Sequence, residues 1–462
     1  MTVSANVLGP SIFVTDIGKG GLELCDIMKG MQKTPEFLKK NPFHHIPTFE
    51  DPGGFCIGES GAMLRYVAAN MAKEYYPMDA KLRGRIDWAV AAFTADVYKK
   101  WGARLYPVLG FKGEPEDQAK ANKELKASLD SFCKAFIGSS KFIAGDTLSI
   151  ADYKALPYLF TMSHPVAVKK SGCKLSARLE QYVKDIMALS PGSAILKSAG
   201  GWSLDEYLNT QTDYPDYKGE VLVCGEGSCT AIKKGPAKAG ETRAKIHGMP
   251  VSSNTVSCVL IAMDAGIGAM EMCDLMSGGQ MTPAFLAKNP FHQIPTFEDS
   301  DGFCLAESTA ILRYIAANYK PELYPADPKE RALIDWAMDA FSADIYPSIA
   351  YGVFYPIFGF SGPPADQKAE NEKCLELLKN YEMAFLQDKK FVCGDEVSIA
   401  EYKAVPFLYA AAQPVMKKKT GFELPPRMQK YMEDSIKEMK SSGFMESCGG
   451  YSLKEYAASK DV

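Results

Sequence analysis

Long apolar runs are missing from this 462-residue chain: no stretch approaches the roughly 18 uninterrupted apolar residues that cross a bilayer as a helix. No membrane span is therefore expected. The first twenty residues carry no basic segment followed by an apolar run, so no secretory leader is read there. Cysteine pairs in Cys-x-x-Cys or zinc spacing are also missing, although twelve cysteines are scattered through the chain. Together these point to a reduced, cytoplasmic setting. Lys/Arg runs are lacking, and a net charge of −4 gives no basic field for nucleic acid. With five histidines in all, a metal site is not expected.

What is present is a repetition. Residues 41 to 71, NPFHHIPTFEDPGGFCIGESGAMLRYVAANM, return from 289 as NPFHQIPTFEDSDGFCLAESTAILRYIAANY, an offset of 289 − 41 = 248. The register holds from Met1 against Met249 to Trp88 against Trp336, and becomes 249 by Gly145 against Gly394. Solenoid and propeller units repeat at roughly 20 to 50 residues. Each copy here is long enough to be a complete globular unit of two small domains.

The stretch 209–242, NTQTDYPDYKGEVLVCGEGSCTAIKKGPAKAGET, has the Gly, Pro and Lys density of a linker. Within it Glu220 to Cys224 is apolar and β-branched enough for a strand, and Cys224 and Cys229 read as incidental exposed thiols, with a disulfide between them the alternative. In copy 2, Arg243 to Gly248 reads as a strand, and Ser252 to Ala265 as a helix capped by Ser252, Ser253 or Asn254 and ended by Gly266. Met270 to Leu275 suits a second strand, and Pro283 starts a short helix. Ile294 to Glu298 and Gly302 to Ala306 form a hairpin, and STAILRYIAANY is an amphipathic helix. The order is β-α-β-α-β-β-α. From Lys329 onward every long segment has helical period, and SIAD at 149 and SIAE at 398 are capping boxes. Ser149, Asp152, Ser398 and Glu401 are thus read as structural.

This unit, with NPF-x-x-IP before the hairpin and Glu-Ser opening the next helix, resembles the thioredoxin-like domain of cytosolic glutathione transferases. The helical second domain and its SIAD/SIAE cap agree. The pattern MPVSSNTVSCVLIAMDAG is similar to the serine-using phi, theta and delta classes, since neither Tyr nor Cys stands at the position in question. The resemblance implies an α/β plus all-α architecture of two tandem transferase units. A thioredoxin-like domain at 1–76 and a helical domain at 77–208 make copy 1. The linker at 209–242 leads to the corresponding domains of copy 2 at 243–325 and 326–462.

Glutathione is the implied co-substrate, with no metal. Its thiol must ionise to attack an electrophile, yet a free thiol has a pKa near ~8.5, and lowering it by about two units needs about 2.7 kcal/mol. Ser252, and Ser4 in copy 1, would donate a hydrogen bond to sulfur at a helix N-terminus. Ser253 could exchange roles with Ser252. The resemblance implies cis Ile46-Pro47 and Ile294-Pro295 bonds that turn the Ile backbone toward the cysteinyl unit. Glu59-Ser60 and Glu307-Ser308 suit the γ-glutamyl end, Ser and the helix-start amides for its carboxylate and Glu for its ammonium. A capping role alone is the plainer reading of each pair, and both roles can hold together because a helix start offers more donors than one side chain satisfies.

The family often has a basic residue for the glycyl carboxylate and Gln or Lys nearby. Copy 1 has Lys33 and His45 at these positions, copy 2 Met281 and Gln293. Gln32 and Gln280 could add a hydrogen bond. His44 and His292 are read as loop-surface residues, and Trp88 and Trp336 as packing. Candidates for an electrophile pocket are Tyr98, Trp101 and Tyr106 in copy 1 and Tyr346, Tyr351, Phe354 and Tyr355 in copy 2, although aromatics at helical spacing are more often core.

Because Met1 aligns with Met249, copy 1 lacks a counterpart of the first strand. A truncated or processed start is the plainer expectation; otherwise a linker segment such as Glu220 to Cys224, or a partner chain, is expected to fill that place. The leading function is conjugation of glutathione to hydrophobic electrophiles, with copy 2 the working unit. The alternative is a non-catalytic binding or scaffold protein with protein partners; isomerase, dehalogenase or peroxidase chemistry would use the same thiolate. The two copies are expected to pair as an internal pseudo-dimer, or the chain to form a homodimer.

Overall fold

The computed structural model describes residues 4–111, 113–138, 140–198, 203–211, 213–226 and 244–461. They fall into two compact units. Unit 1 is Met1–Thr34, Met63–Lys233 and Asn289–Phe291; unit 2 is Pro35–Ala62, Lys234–Lys288 and His292–Val462. The strands, in chain order, are β1 (Thr48–Glu50), β2 (Cys56–Gly58), β3 (Cys173–Leu175), β4 (Leu222–Cys224), β5 (Ala244–Gly248), β6 (Gly268–Met272), β7 (Thr296–Glu298) and β8 (Cys304–Ala306).

Unit 2 holds a four-stranded sheet in the order β6-β5-β7-β8, with β5 parallel to β6 and antiparallel to β7. A central strand flanked on both sides must be apolar on its packed face, and Ile246 of β5 is fully buried. The β6 strand begins earlier than its apolar residues suggest, at Gly268 rather than Met270, because Gly268 pairs with Ala244. A Cβ at Gly268 would sit 2.2 Å from the Ala244 carbonyl oxygen, so only glycine allows that approach. The expected strand residue Arg243 lies outside the described residues.

Between β5 and β6 runs the helix Ser253–Asp264, capped by Ser252. Residues 255–262 are all buried, since the sheet, the helix Ser308–Tyr319 and the helix Ile399–Ala411 enclose it. The helical part of unit 2 opens with Pro328–Ala340, capped by Asp327, and closes with Leu453–Ala458. Its buried cap is as read from the sequence: Glu401 accepts from the Ser398 N–H at 2.7 Å, the Val392 N–H at 2.9 Å and the Tyr431 hydroxyl at 3.0 Å. Burial pushes the Glu401 carboxyl above the usual range. Arg313, 1% exposed, donates to Asp335 at 2.6 Å and Asp339 at 2.9 Å and so ties the helix Ser308–Tyr319 to the helical domain. Trp336 is buried, as expected of a packing residue.

Unit 1 repeats the helical architecture. Asp152 accepts from Ser149 N–H at 2.7 Å and the Tyr182 hydroxyl at 2.7 Å, and Arg65 donates to Asp87 at 2.6 Å. Its sheet content differs from that of copy 2. The segment matching β6 contains no strand among the described residues, and the β1–β2 hairpin belongs to unit 2.

The linker expectation is overturned here. Leu222–Cys224 does not take the place of the first strand; it forms β4, parallel to β3 of the copy 1 helical domain. Lys126 Nζ donates to the Val223 carbonyl at 2.7 Å, and Asp130 accepts from the Gly225 N–H at 2.7 Å. These bonds satisfy backbone groups that a solvent-exposed linker would leave to water. The adjoining Tyr214 hydroxyl accepts from Arg104 at 3.1 Å. Cys224 is fully buried rather than an exposed thiol, and Cys229 lies outside the described residues. Among the described residues no helix is long and apolar enough to cross a membrane.

Candidate functional site

Every copy 2 candidate lies in unit 2, so its geometry can be built within one compact body. Ser252 precedes the helix Ser253–Asp264 with extended backbone, and its oxygen accepts from the Thr255 N–H at 3.3 Å. The side chain is half-buried, and its proton has no acceptor among the described residues. Ser253 is different. It is 1% exposed and its hydroxyl donates to the Pro406 carbonyl at 3.3 Å, so it does not exchange roles with Ser252.

One residue further, Asn254 Oδ1 accepts from the Ser308 hydroxyl at 3.0 Å and from Lys403 Nζ at 2.6 Å, and Lys403 also donates to Ser308 Oγ at 2.9 Å. From sequence Asn254 is read only as a possible helix cap, and Lys403 is not singled out. The available signal was a lysine inside the otherwise apolar run IAEYKAVPFLYAA, matched by Lys154 in copy 1.

Ser308 opens its helix directly after Glu307, whose φ of 67° is in the left-handed region that favours glycine. Such backbone costs about 1–3 kcal/mol and concentrates at functional sites. The Ile294-Pro295 peptide is cis. Pro295 is buried, Ile294 half-buried and Gln293 exposed. Gln280 is half-buried and its Oε1 is buried without a hydrogen-bond partner among the described residues. Met281, where copy 1 has Lys33, is exposed.

The copy 2 aromatic candidates separate into two kinds. Phe354 is fully buried core. Tyr346, Tyr351 and Tyr355 form a cluster with at least partial exposure, with centroids 6.4 Å apart for Tyr346–Tyr351 and 5.1 Å for Tyr351–Tyr355. Lys403 Nζ lies 5.7 Å from the Tyr346 ring centroid, linking this cluster to Asn254 and Ser308. Burial raises the Tyr346 phenol far above its ordinary range, so it stays protonated.

The copy 1 candidates are divided between the units: Ser4 and Lys33 in unit 1, and His45, Ile46, Pro47, Glu59 and Ser60 in unit 2. Ser4 stands at the N-cap position of Ala5–Asp16 without a side-chain cap hydrogen bond, and Lys33 is exposed. Asn6 Oδ1 accepts from Lys154 at 3.0 Å and from the Tyr158 hydroxyl. Trp101 is 1% exposed and its indole N–H donates to the Tyr158 carbonyl at 3.1 Å, so it is core. The half-buried Tyr98 and Tyr106 share a 3.0 Å hydrogen bond.

In unit 2, Ile46-Pro47 is cis, Glu59 has φ 60° and Ser60 is 4% exposed. His45, Glu59 and Asp344 bring ligand-type atoms within 4.8 Å of one another, a grouping the sequence did not reveal. The 3.6 Å from His45 Nδ1 to Asp344 Oδ2 is ion-pair range but too long for a hydrogen bond, and that oxygen is buried without a hydrogen-bond partner among the described residues. Burial raises Asp344 to about 7. Two carboxylates beside an imidazole suit a positively charged ligand group. His44 is half-buried and His292 exposed, both at positive φ.

The model of the "Glutathione S-transferase, N-terminal domain" matches twice, at residues 23–69 and 248–317. A probable glutathione S-transferase GSTF2 of Oryza sativa subsp. japonica is 33% identical over 35% of this chain and 77% of its own. A mouse glutathione S-transferase theta-3 is 29% identical over 46% of this chain and 82% of its own. Among solved structures, a delta-class glutathione transferase of Nilaparvata lugens is 27% identical over 46% of this chain and 99% of its own, with a TM-score of 0.40. With the matched Glu-Ser helix start in both copies and a serine at the N-cap position of the first helix of each, the chain belongs to the glutathione S-transferase family and carries the family's N-terminal domain twice.

Proposed function

We propose that copy 2 binds glutathione and activates its thiol for addition to hydrophobic electrophiles. The observation that carries this reading is Ser252. Its oxygen already receives the Thr255 N–H, so its one proton is directed to a ligand, and it stands at the positive end of a 12-residue helix. A thiolate there gains a hydrogen bond and a helix-end field, which together supply much of the roughly 2.7 kcal/mol that two units of thiol pKa require. The Ser308 end of the site takes the γ-glutamyl carboxylate at a helix start, and Glu307 its ammonium. Gln280 Oε1 offers an acceptor to the glycyl N–H. Tyr346, Tyr351 and Tyr355 present an amphipathic surface to an aromatic electrophile.

Copy 1 supports a second reading. The described copy 1 segment that matches β6 forms no strand, which favours a binding or scaffold role for that copy. Titration of the full chain with reduced glutathione, followed by turnover with an activated aryl halide, tests both. One site per chain, lost with Glu307→Ala/Ser308→Ala, and turnover lost with Ser252→Ala, is the expected result. Two equal active sites would overturn the assignment of copy 1, and no binding at millimolar glutathione would overturn the transferase reading of copy 2.

A further inference from the structure

Lys403 is 2% exposed, in the middle of the helix Ile399–Ala411. Burying an ammonium costs several kcal/mol unless its protons are satisfied. Two of its partners, Asn254 Oδ1 at 2.6 Å and Ser308 Oγ at 2.9 Å, are neutral, and its Nζ also lies 5.0 Å from the Phe407 ring centroid. Ser308 closes the triangle by donating to Asn254 at 3.0 Å. A hydroxyl has one proton. In this arrangement the Ser308 proton is turned toward Asn254 and away from any ligand.

We infer that Lys403 is the positioning residue that releases Ser308 to a ligand carboxylate. This rests on the reading of copy 2 as a glutathione site. When the γ-glutamyl carboxylate arrives at the helix start, the Ser308 O–H rotates toward it. Asn254 Oδ1 keeps its Lys403 donor, so no part-buried acceptor is left unpaired. Lys403 continues to donate to Ser308 Oγ, which polarises the hydroxyl toward the anion and places a positive charge one oxygen atom away from it. The site thereby selects a ligand with a carboxylate at this end, without a cation in direct contact with it.

The test compares two ligands by calorimetry on the full chain carrying Ser60→Ala, so that copy 2 dominates the isotherm. One ligand is glutathione; the other is 4-aminobutyryl-cysteinylglycine, which lacks only the γ-glutamyl α-carboxylate. Lys403→Met is expected to weaken glutathione about 10- to 100-fold. The same substitution should change affinity for the decarboxylated peptide by less than about threefold. Lys403→Gln, which keeps an N–H donor but no charge, should recover part of the loss. If Lys403→Met proves too unstable to titrate, Lys403→Gln carries the same two-ligand comparison. Equal losses for both ligands, or undiminished glutathione affinity, would overturn the assignment. Absence of binding by the parent chain to either ligand would overturn the glutathione reading itself and this assignment with it.

Discussion

Ser252 and Ser253 are adjacent in the chain and face different environments: Ser252 is half-buried and accepts from the Thr255 N–H, while Ser253 is buried and donates to the Pro406 carbonyl. Their alanine variants should therefore separate. Ser252→Ala is expected to lower kcat about tenfold or more with little change in glutathione affinity, plus a cap loss of about 1 kcal/mol. Ser253→Ala should lower stability with turnover per folded molecule intact. Steady-state kinetics and urea unfolding on both variants check this, and the reverse pattern would exchange their roles.

Glu307 has positive φ in a conformation better suited to glycine. Glu307→Gly is expected to stabilise unit 2 by about 1 kcal/mol, the relieved strain less the added chain entropy. The same change removes the carboxylate meant for the γ-glutamyl ammonium, and glutathione affinity should fall about tenfold. Thermal melts and calorimetry on one sample give both numbers, and a variant both weaker in binding and less stable would contradict the strain argument.

The buried Arg313–Asp335 pair holds two domains of copy 2 together, with the Tyr324 hydroxyl 2.9 Å from each oxygen of Asp335. Removing one partner leaves a guanidinium buried with less compensation. Asp335→Ala should cost about 3 kcal/mol, the lower end for such losses because Asp339 still receives Arg313. Urea unfolding measures it, and a cost under about 1 kcal/mol would mean that the pair is replaceable.

Asp344 gives a pH signature. Its folded pKa is about 7, raised by burial, against about 3.9 for an unfolded chain. The folded state therefore holds the proton more tightly between these values. Stability from this group is complete below about pH 4 and declines as pH rises toward 7. Asp344→Asn should match the parent near pH 4 and exceed it by about 4 kcal/mol at pH 8. A constant difference across the range would show that the carboxyl does not titrate there.

Much of the fold was legible because its signals are local. Ser252 ahead of an apolar run and Gly266 behind it fixed one helix, and Ser398 with Glu401 fixed another. The misses were tertiary. Nothing within the run Glu220–Cys224 says which edge it will join, and burial of Cys224 beside β3 decided the matter. Phe354 has the same spacing as the partly exposed tyrosines, and only packing separates it from them. Lys403 meets Asn254 across 149 residues, a distance over which periodicity carries no information.

The two asparagines also record how a duplicated gene diverges. Asn6 takes both of its donors, Lys154 and Tyr158, from one helix, whereas Asn254 divides its oxygen between Lys403 on one helix and Ser308 on another. Copy 2 has Phe407 where copy 1 has Tyr158, a difference of a single oxygen atom. The same residue type thus collects its donors from one helix in copy 1 and from two in copy 2 of the same polypeptide. Each copy thereby serves as the other's internal reference.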